Sequence, residues 1–161
     1  MNFIFQPPFT SLQFSSTIKV ELFEGPHDEA LLARYTDSDI FRMAENTLGH
    51  SNITVAGYYG FGIGFFVDLQ QPSSAVYTLQ SQISQDQLVK IADSIEVFYE
   101  MLKQVYAIWQ SDARKGHLPQ TGSTINKMNQ FLQYMKKNSP GSSLAFWQLY
   151  FFGDLHIGLE L

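Results

Sequence analysis

Hydrophobic and polar positions divide this chain into short strand-like stretches and longer helical ones, and in one of the former they alternate with a period near two. From Phe14 to Phe23, the residues Ile18, Val20 and Leu22 alternate with Lys19, Glu21 and Phe23, which predicts a strand ended by Gly25-Pro26. Ile53–Gly57, Phe61–Leu69 and Ala75–Leu79 read as three further strands, with Gln70-Gln71-Pro72-Ser73-Ser74 as a hairpin-type connection. Together they predict an antiparallel sheet.

Elsewhere the period lengthens to that of a helix. His27 to Thr47 follows helical spacing loosely, with Asp37-Ser38-Asp39 as a turn able to cap a short helix at Ile40. A long amphipathic helix is expected from about Asp86 to Gln110, because Leu88, Ile91, Ala92, Ile95, Phe98, Leu102, Val105 and Trp109 recur every three or four residues. Ser84-Gln85-Asp86-Gln87 fits a capping box at its start, and Gly116 a stop. A second helix, Ser123 to Asn138, carries the stripe Ile125, Met128, Phe131, Leu132 and Met135. The apolar tail reads as a hairpin, Phe146–Phe152 and Leu155–Leu159, turning at Gly153-Asp154. The fold class is therefore α+β: an antiparallel sheet with a long helix packed on it, then a C-terminal helix and hairpin. With no internal repeat or linker, residues 1–161 are expected to form one domain.

Composition narrows the picture. Apolar residues make up 45% and charged residues 16%, with 14 Phe and 8 Tyr, so the chain can build a core and keep aromatic surface for a partner. There is no cysteine, which excludes disulfides and thiolate ligands and fits a cytoplasmic location. Met1 to Pro8 lacks the basic stretch and apolar region of a signal peptide, and no apolar run reaches the roughly 18 residues of a membrane span, so no membrane partner is expected. The net charge of −5 is unevenly placed. Residues 21–46 hold seven acids and two bases, whereas 103–137 hold six bases and one acid. The bases lack the aromatic interleaving of a nucleic-acid interface, so no nucleic-acid partner is expected.

Catalytic motifs are weak. In Gly60-Phe61-Gly62-Ile63-Gly64 the glycines lead into more strand rather than a helix N-terminus, which argues for close packing instead of a phosphate loop. His27, His50, His117 and His156 show no metal-ligand spacing, and no cofactor is expected. Asp154 and His156 would share a strand face, but Gly-Asp also suits a turn, and a hydrolase would need a serine within reach of them.

Thr54-Val55-Ala56-Gly57, Gly62–Leu69, Ala75-Val76-Tyr77 and Ile91–Leu102 together resemble the SUKH superfamily over about residues 53–105. Ala92, Ser94, Phe98 and Leu102 occupy the positions of that family's Ala-x-Ser-Phe-x-x-Phe-x-x-x-Leu phrase, with Ile95 in place of an aromatic. The resemblance implies a non-enzymatic bacterial immunity protein that binds and neutralises a cognate toxin, often a nuclease, through a variable surface. Its matched residues are structural, so no binding residue carries over. The residues expected to meet a basic toxin are the acids Glu24, Asp28, Glu29, Asp37 and Asp39. The alternative is a small-ligand or peptide-binding module with a pocket lined by Tyr58, Tyr59, Phe61 and Phe65.

Overall fold

A computed structural model describes residues 5–25, 40–60, 63–70, 74–79 and 87–153. Six strands form one sheet in sequence order, each antiparallel to the next: β1 (Ser11–Gln13), β2 (Lys19–Leu22), β3 (Ile53–Tyr59), β4 (Ile63–Asp68), β5 (Val76–Leu79) and β6 (Leu88–Ala92). Helix α1 (Ile40–Leu48) precedes β3, while α2 (Ile95–Asp112), α3 (Gly122–Asn138) and α4 (Leu144–Trp147) follow β6; a π-helical turn, Gln148–Phe152, continues α4. The α+β architecture with a long helix on an antiparallel sheet is as expected, but four local features differ.

The stretch from Phe14 to Phe23 is not one strand. Ser15-Ser16-Thr17 folds it into a hairpin, with the Ser15 hydroxyl accepting the N–H groups of Thr17 and Ile18 at 3.3 and 3.1 Å. Consecutive hydroxyl residues offer the backbone local partners that compete with a ladder, so the chain turns and β1 pairs with β2.

The long helix starts at Ile95, and Leu88–Ala92 is strand β6 paired with β5. Ser94 is the N-cap, its hydroxyl accepting the Val97 N–H at 3.1 Å. The apolar spacing of Leu88, Ile91 and Ala92 fits either period, and the backbone of β5 decides between them: as a strand these residues complete its ladder. The open edge of β6 is covered by the C-terminal segment. Ser143 N–H donates to Lys90 O and the Trp147 indole N–H to Ile91 O, both at 2.9 Å. The segment thereby blocks an edge that would otherwise pair with another chain.

At its other end α2 stops at Asp112 rather than Gly116. Gly116 lies in a turn where Arg114 and His117 bridge each other, with Lys115 and Gly116 at φ 55° and 80°. The predicted strand at Phe146–Phe152 is α4 and its π turn. Phe146, Trp147, Phe151 and Phe152 are the buried residues there, and a five-residue repeat matches the i→i+5 turn rather than a strand's alternation. The expected partner strand Leu155–Leu159, the capping box at Ser84 and the turn Asp37-Ser38-Asp39 lie outside the described residues.

Each sheet face has its own core. Phe65 and Val67 of β4 join Val20, Ala56 and the inner faces of α2 and α3. Phe66 points the other way, to Ile40, Met43 and Ala44 of α1. On the α2 side, rings form a continuous network: Phe65 meets Phe98 at 5.0 Å between centroids, and Phe131 meets Trp147 at 5.4 Å. Burying each such ring stabilises the fold by about 2–3 kcal/mol. Gly57 is required because a Cβ there would lie 2.2 Å from the Glu21 carbonyl oxygen of the neighbouring strand.

Candidate functional site

Of the five acids expected to meet a partner, Glu24 is exposed just beyond β2, while Asp28, Glu29, Asp37 and Asp39 lie outside the described residues. Two other described acids of that region differ in availability: Glu21 is paired with Lys19 at 2.6 Å, and Glu45 on α1 is exposed.

Among the described residues, two clusters carry chemistry-bearing side chains. His50 lies 3.2 Å from a carboxylate oxygen of the fully buried Asp68, through Nε2. Its Nδ1 accepts the Asn52 N–H at 3.1 Å, and Asp68 also accepts the Gln70 N–H at 2.9 Å. Both ring nitrogens are therefore engaged, leaving none to take a proton from a substrate. The pair ties the loop after α1 to the end of β4. Nothing in the residue spacing announced it, because the two sit on opposite sides of β3 in sequence and meet only through β3–β4 pairing.

The second cluster joins α2 to α3. Lys127 Nζ lies 2.6 Å from Asp112 Oδ1, and Thr124 and Ser111 donate to the same carboxylate, each at 2.6 Å. The lysine, with the two hydroxyls, holds the Asp112 carboxyl well below the usual carboxylate range. Ser111 Oγ is 3.4 Å from Lys127 Nζ, a pairing that in isolation resembles a nucleophile and its base. Lys127 Nζ donates to both the carboxylate and the Ser111 hydroxyl, and that hydroxyl donates to the same carboxylate, so the cluster acts as a clamp between two helices. No group of three His, Asp or Glu side chains suited to a metal ion occurs among the described residues.

The aromatic pocket expected around Tyr58, Tyr59, Phe61 and Phe65 does not form as such. Strand alternation sends Tyr58 towards Phe23, 5.8 Å away, and Tyr59 to the opposite face. Phe65 is fully buried beneath α2, and Phe61 lies outside the described residues. Tyr59 lines a cleft that lies at the sheet's end, between the β1–β2 turn, the α2–α3 connection and the π turn. Its volume is about 440 Å³, and its lining includes Tyr59, Trp109, His117, Gln120, Leu149 and Tyr150.

The walls of this cleft are fixed by hydrogen bonds from ring to backbone. Tyr59 donates its hydroxyl to Tyr150 O at 2.7 Å, and Trp109 donates its indole N–H to Phe151 O at 2.9 Å. Both acceptors are carbonyls of the π turn. Burial, with the nearby Tyr150 phenol, pushes the Tyr59 phenol up to about 12. The sequence showed these residues as core or strand positions, and the signal that would have marked a cleft, the π turn, is set by tertiary packing.

No helix among the described residues is long and apolar enough to cross a membrane. Comparison with family models, with curated proteins and with solved structures finds no match to this chain.

Proposed function

We propose that this chain is an immunity protein that binds a cognate bacterial toxin, such as a nuclease, and neutralises it by steric and electrostatic blockade. The observation that carries the proposal is the helix α2, capped at Ser94 and laid across the strands that lead into it. The segments behind the SUKH resemblance are neighbours in space: β3, β4 and β5 are consecutive in the sheet, β4 closes on Asp68, and Tyr77 lies in β5. Ala92 is buried at the end of β6, two residues before the cap, and Phe98 and Leu102 are fully buried on the inner face of α2. The hydrophobic phrase thus falls where a strand-to-helix junction needs it.

Blockade requires a surface rather than a reaction centre. A negatively charged patch covers the cationic groove with which a nuclease grips its substrate and speeds encounter with it. Glu24 and Glu45 are exposed acids in the acidic region of the chain, and Asp28, Glu29, Asp37 and Asp39 belong to the same region of sequence. The test is to look for a toxin domain encoded next to this chain's gene and to co-express the two; absence of any such neighbour would count against the proposal. Growth should be restored and the two polypeptides should purify as a stoichiometric complex. Continued toxicity in the presence of well-folded chain would refute the proposal.

A further inference from the structure

We infer that the cleft beside the π turn is a binding site for a small planar aromatic carboxylate. The inference is independent of the immunity reading, because it rests on a different part of the molecule. At about 440 Å³ the cleft has the size of a small-molecule site. Its aromatic walls are preorganised. The rings of Tyr59 and Tyr150 meet edge to face with centroids 4.9 Å apart. The polar tips of Tyr59 and Trp109 are already spent on the π-turn carbonyls, so neither offers a donor; the part-exposed rings of Tyr59 and Tyr150 supply the ring surface, with the buried Trp109 behind them.

Donors come from the α2–α3 connection. The His117 and Gln120 side chains line the cleft and have no hydrogen-bond partner among the described residues. Arg114 and Lys115 stand immediately before Gly116 in the same turn, and no described lining residue is acidic. Arg114 is anchored by donating Nη1 to Ala113 O at 2.8 Å, which keeps a fixed positive charge on this turn. Apolar walls and the His117 and Gln120 donors at the rim, beside a turn whose Arg114 and Lys115 stand outside the lining but add nearby positive charge, favour a ring that carries one negative charge. Leu149, 47% exposed at the mouth, is an apolar cover for the part of the ring left outside.

The experiment is a titration of the full-length, ¹⁵N-labelled chain with indole-3-acetate, followed by amide and indole N–H signals. The chain has two tryptophans, and only Trp109 lines the cleft; Trp147 is fully buried elsewhere and serves as an internal control. The expected result is movement of the Trp109 indole signal and of the 116–120 amides, a still Trp147 indole, and a dissociation constant at or below about 1 mM. Indole-3-acetamide, which lacks the charge, should bind about 10-fold more weakly, and so should indole-3-acetate to His117→Ala. His117 is exposed on a turn, so an unchanged Trp147 signal in that variant certifies its fold. An unmoved Trp109 signal at ~10 mM ligand, equal binding of acid and amide, or shifts centred elsewhere would each overturn the inference.

Discussion

Single residues decide where this chain turns, and several of them are legible as letters only once their neighbours are known. Ser94 is one of many serines, yet it closes the first turn of α2. Ser94→Ala should lower stability by about 1 kcal/mol, whereas Ser94→Asp should retain it, since either oxygen can accept from Val97 N–H. Thermal unfolding of the two variants checks this. Asp112 gives a pH prediction. Its folded-state carboxyl lies well below the usual range because of Lys127, Ser111 and Thr124. Its contribution is therefore fully present above the unfolded carboxylate's ordinary value and is lost as pH falls through the folded one. Asp112→Asn should flatten the fall in stability below about pH 4 and leave its shape at neutral pH unchanged, as read from denaturant midpoints across the acid range. Asp68 and His50 show the limit of reading letters alone: their contact exists only because β3 and β4 place their far ends side by side.

At the scale of elements, strongly periodic segments were legible and their junctions were not. The strands over residues 53–79 and the helix α3 lie within a few residues of expectation, because short β-branched and aromatic runs bounded by turn residues suit strands and the Met128, Phe131, Leu132 and Met135 stripe suits a helix. Leu88 to Ala92 admits two, and the backbone of β5 selects the strand. The π turn was illegible because its form depends on what its carbonyls meet: Tyr59 and Trp109 from β3 and α2. Removing one such donor should loosen the segment without unfolding the protein. Tyr59→Phe should cost about 1 kcal/mol and accelerate amide exchange in 148–152 more than in α2, measured by hydrogen exchange. Phe151→Ala removes the buried ring stacked with Trp147 at 5.1 Å and should cost about 3–5 kcal/mol, read from denaturant midpoints.

The molecule as a whole carries its charge in blocks: acids before β3, bases along α2 and α3. Lys127 is spent on the clamp with Asp112, while Lys103, Lys136 and Lys137 are exposed. That separation was fully legible from the sequence, but the disposition of the acidic block was legible only at Glu24 and Glu45, since most of its residues fall outside the described segments. Long-range attraction acts on encounter rates more than on lifetimes. Reversing Glu24, Asp28, Glu29, Asp37 and Asp39 to lysine should therefore lower the association rate with the toxin by about 10-fold or more at low salt, with a smaller change in dissociation.

If a toxin domain is encoded beside this chain, as the proposed immunity function requires, direct binding kinetics between the two purified polypeptides test that function most closely. A 1:1 complex that silences the toxin, forms more slowly as salt is added, and loses that salt dependence in the charge-reversed chain is the predicted result. A toxin that stays active in excess chain, or a complex formed equally fast by the reversed chain at every salt concentration, would contradict blockade by this charged surface.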